Sequence, residues 1–271
     1  MEQHTLSASR KQPMNRTLVI RSTCCLLLGL LATTAASALA TGDDAGSTPG
    51  LSAGQVVASM LAHNTEREKS LQGYESLRRY RLEYKGFPSS KTAEIEVAVK
   101  FTAPGKKDFQ IVSEQGSTLL VNKVLKRLLE AEQEASSQSA KFQSELSPAN
   151  YRFELAGVDK LDGRVQYVLL VEPLRKDKLL YQGKIWVDAE DFAVTLIEAE
   201  PARNPSFWTT KTRIVHQYSK VGEFWLPAQN KSDSATRFGG HARLTILYTG
   251  YLLNGQRAMN SVSVVPATPQ P

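Results

Sequence analysis

Glu94-Ile95-Glu96-Val97-Ala98-Val99-Lys100-Phe101 decides the fold. Ile95, Val97, Val99 and Phe101 take every second position, and Glu94, Glu96, Ala98 and Lys100 fill the gaps. A period of two sends successive side chains to opposite faces, so this stretch reads as a strand with one apolar and one wet side. Breakers bound it: Gly86-Phe87-Pro88-Ser89-Ser90 before and Ala103-Pro104-Gly105 after. Working outward, the preceding segment Tyr74 to Lys85 puts Tyr80, Leu82 and Tyr84 on one face and Arg79, Arg81 and Glu83 on the other. Lys107 to Ser113 follows, and the three segments read as an antiparallel meander.

The same pattern returns further along the chain. Tyr151, Phe153 and Leu155 lead to Asp162-Gly163, a pair that favours a tight hairpin, and Val165 to Val171 comes back from it. Strands are expected at Leu180–Val187, Ala193–Ala199, Trp208–Ser219, Phe224–Arg237 and Ala242–Tyr251. In the last of these Ala242, Leu244, Ile246 and Tyr248 face inward.

Two amphipathic helices are available to cover these strands. Ser52 with Gln55 three residues on is a capping-box pattern, and Val56, Val57, Met60 and Leu61 then share a face. The second helix runs from about Ser117 to Ala135, with Val121, Val124, Leu125, Leu128 and Leu129 as its apolar stripe. The expected class is therefore mainly β with two or three helices (α+β), a half-open curved antiparallel sheet or barrel capped by helices. An apolar sheet face must be buried against something. Two helices are too little cover for so many strands, so the remaining volume is a candidate site for an apolar ligand.

The first forty residues read as a signal peptide. Arg10, Lys11, Arg16 and Arg21 form a basic n-region, residues 24–32 an apolar h-region too short to anchor in a bilayer, and Ala38-Leu39-Ala40 a small-x-small cleavage site. Both cysteines, Cys24 and Cys25, fall in this segment, so the exported chain needs neither disulfides nor Cys-ligated metal. The segment also holds about half of the formal net charge of +6. No basic stripe with interleaved stacking aromatics remains, which argues against nucleic-acid binding. The expected organisation is signal peptide 1–40, flexible leader 41–50, one domain over 51–253 and a disordered tail over 254–271.

Few residues invite chemistry. His63, His216 and His241 show no ligand spacing, so no metal or cofactor is expected. Asp188, Glu190 and Asp191 sit between two apolar strands, where acidic residues are ordinary turn formers. No nucleophile elbow, phosphate loop or dinucleotide fingerprint appears, so no enzyme activity is expected. The aromatics of the C-terminal half are more informative. Trp186, Phe207, Trp208 and Trp225 read as strand packing or as the rim of an apolar pocket.

Tyr181-Gln182-Gly183-Lys184-Ile185-Trp186-Val187-Asp188, Ile197-Glu198-Ala199-Glu200-Pro201 and Phe224-Trp225-Leu226-Pro227 are similar to the C-terminal half of outer-membrane lipoprotein-sorting-like proteins, the LolA/LolB-like superfamily. The order of elements from Leu51 to Leu253 also resembles that superfamily. The resemblance implies a half-open barrel whose apolar concave face is capped by helices and shields lipoprotein acyl chains; relatives with this fold act as envelope-stress sensors. One departure stands out. The sorting carriers have a basic residue directly before a Pro at the turn after the second strand, where it helps govern the lid; here Ala103 precedes Pro104.

Residues and resemblance together give an exported, monomeric carrier of a lipid or lipoprotein acyl chain, periplasmic or secreted, working without catalysis. The second helix is its expected lid, and Leu125, Leu128 and Leu129 are the residues expected to touch the ligand or close the empty cavity. The alternative is an envelope sensor or scaffold that uses the same sheet to bind another protein, such as an envelope membrane protein.

Overall fold

The computed structural model describes residues 50–135, 142–204, 209–237 and 239–257. The signal peptide, almost all of the leader, Phe207, Trp208 and the tail beyond residue 257 lie outside them.

Ten long strands form a single antiparallel sheet in the order β3-β2-β1-β10-β9-β8-β7-β6-β5-β4. They are β1 (Gly73–Gly86), β2 (Lys91–Thr102), β3 (Lys106–Gly116), β4 (Tyr151–Leu161), β5 (Arg164–Pro173), β6 (Tyr181–Asp188), β7 (Val194–Pro201), β8 (Thr209–Val221), β9 (Phe224–Thr236) and β10 (Gly240–Leu253). A short β11 (Gln256–Arg257) folds back on β10, so regular pairing continues a few residues past Leu253. The sheet is open: among the described residues β3 and β4 are its two edges and do not pair with each other. Register shifts between Glu75 and Leu77, Glu96 and Val97, Leu155 and Gly157, and Trp186 and Val187 insert extra residues. Such bulges bend and twist a strand locally, which lets so wide a sheet curl.

The alternation read in residues 94–101 holds. Ile95, Val97 and Val99 are buried, while Lys100 is exposed and the two glutamates are half-buried. The Asp162-Gly163 turn also forms as expected, with both residues at positive φ, 50° and 79°.

Helix α1 (Ala53–Ser70) starts with the complete capping box: the Gln55 amide donates to the Ser52 hydroxyl and the Gln55 side chain accepts from the Ser52 amide. Val56, Val57 and Met60 bury one face of α1 against Tyr151, Leu169, Val171, Ile185, Val187, Ile197 and Ala199. This core spans β4 to β7 and is wholly apolar. A second core lies at the other end of the sheet. There Leu120, Val121, Leu125 and Leu129 of the helical stretch 118–135 pack on Tyr80, Leu82, Ile95, Val97, Val99 and Ile246.

That second stretch is not one regular helix. It comprises α2 (Thr118–Leu120), a π turn (Val121–Leu125) and α3 (Lys126–Ala135). In the π turn the Lys126 amide donates to the Val121 carbonyl, five residues back. The extra residue in this turn keeps Val121 and Leu125 above the sheet but swings Val124 outward, where it is 42% exposed. Val124 therefore leaves the apolar stripe that a 3.6-residue period predicts, and Leu119 is exposed as well.

Candidate ligand-binding face

The two cores lie on the same side of one sheet, as the cross-strand register shows. Ile95 faces Tyr80, Tyr80 faces Ile246, Ile246 faces Asn230, Asn230 faces His216, His216 faces Ile197, Ile197 faces Ile185 and Ile185 faces Leu169. Directly opposed residues share a face, so this row crosses eight strands on one surface. The outer members of the row are apolar and helix-covered. The two in the middle are polar. The next row repeats the pattern, with Ser232 between Leu244 and Ile214, and Thr212 bonds Ser234 across the same two strands at 2.9 Å. No β9 residue belongs to either helix-covered core. The β8–β9 strip is thus a seam between two separate cores, with Ile214, His216, Tyr218, Asn230 and Ser232 on its floor.

Seam residues combine accessible surface with low-polarity surroundings. His216 and Tyr218 are half-buried. Burial nevertheless pushes the His216 imidazole down to about 4 and the Tyr218 phenol up to about 12. The Tyr181 and Tyr248 phenols on its flanks are also half-buried and also pushed up, chiefly by burial. Surrounding protein atoms thus disfavour the charged form of each of these groups although each keeps some accessible surface. His216 is therefore neutral at physiological pH.

At one margin of the seam stands a buried cation. Arg78 projects from β1 onto the helix-covered face with only 2% of its surface exposed. Its Nη1 donates to Glu132 Oε1 of α3 at 2.7 Å and approaches the Tyr80 hydroxyl at 3.4 Å; Nη2 reaches the Tyr74 hydroxyl at 3.4 Å. The guanidinium lies 4.9 Å from the Tyr248 ring centroid and 5.8 Å from that of Phe109. Glu132 also accepts from Lys107 at 3.2 Å and from the Tyr80 hydroxyl at 3.3 Å. Burial raises the Glu132 carboxyl, but Arg78 and Lys107 outweigh it and the net shift is downward. Burial likewise works against the Arg78 charge, and the Glu132 carboxylate more than compensates. The Asn230 amide donates to the Tyr248 hydroxyl at 2.9 Å, linking this cluster to the seam floor.

The acidic turn after β6 behaves as its sequence predicts. Asp188 accepts from Arg164 Nε and Nη2 at 2.6 and 2.7 Å, from Gln166 Nε2 at 3.2 Å, and from the amides of Glu190 and Asp191 at 3.1 and 2.8 Å. Burial alone would raise its pKa, but these bonds hold it down at about 2. The carboxylate closes a turn and anchors Arg164.

The residues expected to touch a ligand fall into different places. Leu125 and Leu129 are buried in the β1–β3 core, and Leu128 packs at its edge. Trp186 points to the opposite side of the sheet, between the inward Ile185 and Val187, and its Nε1 donates to Asp159 at 3.1 Å. Trp225 donates to Asp191 Oδ2 at 2.9 Å, beside Arg164. The leucines and the tryptophans are not brought together. A hollow of about 500 Å³ is lined by outward residues such as Leu77, Ala98 and Gln110 together with Ser76, Val99 and Phe109, and one of about 300 Å³ is lined by Arg152, Glu154, Leu170 and Glu172.

Residue-level reading missed Arg78 and the seam. Period two from Tyr80 places Arg78 and Ser76 inward, and the same count from Phe224 places Asn230, Ser232 and Ser234 inward. Polar residues at core-phase positions were the available signal.

No family model matches the sequence, and no curated protein matches it. The solved structures it is similar to include a DUF1329 family protein from Desulfovibrio piger, at 11% identity and TM-score 0.39, over 74% of this chain and 93% of that one. A LolA superfamily protein from Nitrosomonas europaea matches at 9% identity and TM-score 0.35, over 78% and 96%. A putative outer membrane lipoprotein-sorting protein domain from Vibrio parahaemolyticus matches at 11% identity and TM-score 0.35, over 72% and 91%. The family that the sequence resembles is thus represented among these structures.

Proposed function

We propose that this chain is an exported, monomeric carrier that takes up a lipid or lipoprotein acyl chain along the β8–β9 seam, without covalent chemistry. One observation supports it above the others: two separate cores on one face, with half-accessible His216 and Asn230 between them and Ile214 and Tyr218 bordering the α1-covered core. Each methylene removed from water contributes about 0.8 kcal/mol. A chain laid along the seam needs only a fraction of its methylenes buried to bind usefully, even after association costs. The seam's hydroxyls and amide suit the ester, amide or head-group end of an amphiphile better than a dry slot would. The signal-like N-terminal segment supports an envelope location, periplasmic or secreted.

The alternative partner is another envelope protein. Its physical basis is the pair of open edges, β3 and β4, which present unpaired backbone groups. Displacement of a fluorescent fatty acid from the purified protein by unlabelled acyl compounds tests the carrier reading. Saturable, competitive binding supports it. Absence of binding, together with a stoichiometric protein partner in native mass spectra, favours the alternative.

A further inference from the structure

We infer that Arg78, with Ser76 beside it, receives the anionic head group, through carboxylate or phosphate oxygens, of the amphiphile whose chain lies in the seam. This inference rests on the carrier reading and names the chemistry of its ligand.

The argument starts from cost. A guanidinium taken out of water is expensive, and apolar residues in the same volume give equal or better stability. Under α1 the inward positions of the cross-strand row, Ile197, Ile185 and Leu169, are all apolar. The opposite core holds Arg78 at 2% exposure among Tyr, Phe and aliphatic neighbours. Stability alone gives no reason to retain it.

The bonding of Arg78 is also incomplete on one side. Nη1 carries the short bond to Glu132. Nε has no partner, and Nη2 has only the distant Tyr74 hydroxyl at 3.4 Å. Nε and Nη2 form the side-on fork with which arginine binds a carboxylate or phosphate through two parallel hydrogen bonds. Ser76 lies two residues away on the same face of β1, and its buried hydroxyl is likewise without a partner. On this face of β1, Arg78 Nε and the Ser76 hydroxyl are thus unused donors, and Nη2 has only one long contact. Charge points the same way: among the described side chains the two cations Arg78 and Lys107 share the single carboxylate of Glu132. One further negative charge balances the cluster.

Position completes the case. Tyr248 contacts Arg78 with its ring and Asn230 with its hydroxyl. An acyl chain along Asn230, His216 and Ile214 therefore ends beside the fork. Glu132 sits on α3, so when the ligand's head group engages Arg78 it competes with the helix for that cation.

The test compares a dansyl-labelled undecanoic acid with its methyl ester on wild type, E132Q and R78Q/E132Q. The double variant removes the buried cation together with its carboxylate and leaves only Lys107, which keeps a quarter of its side-chain surface accessible, without that partner; E132Q supplies a readout if the double variant does not fold. Wild type is expected to bind the acid about tenfold more tightly than the ester, the scale of a hydrogen-bonded charge. E132Q should tighten acid binding alone, and R78Q/E132Q should bind acid and ester equally. Equal binding of acid and ester by wild type and E132Q overturns the head-group inference and leaves the carrier reading standing. Binding of neither overturns both. Inorganic phosphate tests the source of the anion: displacement of the acid by phosphate at equal concentration overturns an amphiphile as the occupant, and failure to displace it supports one.

Discussion

The two ends of the sheet are covered in opposite ways. At β4–β7 a regular helix with a complete capping box lays Val56, Val57 and Met60 on an apolar floor, and the buried carboxylate of Asp188 stands at the end of β6, paired with Arg164. At β1–β3 and β10 a helical stretch with a π turn covers a floor that includes Arg78, and it is tied down by the Arg78–Glu132, Lys107–Glu132 and Lys126–Glu114 ion pairs. The first arrangement maximises burial. The second gives up stability for a contact that a competing anion is able to break. One sheet carries both, so the difference lies in a few inward positions and in one extra helical residue.

The largest expected effect separates the two ends directly. Leu169→Ala empties a fully buried position under α1 and should cost about 2–5 kcal/mol in urea unfolding. Amide exchange should meanwhile find residues 118–135 opening well before α1. Equal protection of the two helices would remove the contrast.

Next comes the ion pair. Arg78→Met alone leaves Glu132 to Lys107 and the Tyr80 hydroxyl and should lose on the order of 2 kcal/mol, below the range for a fully buried pair because Glu132 keeps those partners and 26% of its side-chain surface accessible. Adding Glu132→Leu should recover most of that loss. A double variant no better than the single would show that the pair is a net stabiliser.

The seam supplies a pH signature. The folded chain holds His216 near 4, whereas the unfolded chain takes up its proton near the ordinary 6.5. Stability from this group is complete above about 6.5 and falls as pH drops toward 4, because the unfolded state then binds the extra proton. His216→Asn should flatten the urea midpoint across that window. Asp188 acts lower, with its contribution lost only as pH falls from the ordinary carboxylate range toward 2. The smallest effect tests the π turn. Val124→Ser should change stability by less than about 0.5 kcal/mol, since Val124 already faces water.

Local pattern made the strands, the capping box and the Asp162-Gly163 turn legible, because each depends on neighbours in sequence. Alternation in residues 94–101 needs no tertiary partner to be read. Val124 was misplaced because the 3.6-residue period assumes a regular helix, and the π turn that moves it is set by docking on the sheet. Trp186 looked like a pocket residue because its ring is large, yet the register of β6 turns it away from the helices. The seam was hidden for another reason. Asn230 and Ser232 become a floor only when β8 and β10 flank them, and that pairing spans long stretches of chain.

Mapping of the acyl position tests the central claim most directly. A photoreactive fatty acid is bound to the purified protein, irradiated, and its adducts are located by mass spectrometry. Adducts on Ile214, His216, Tyr218 and Asn230 are the result expected here. Adducts confined to the outward face around Leu77, Ala98 or Leu170 would contradict it.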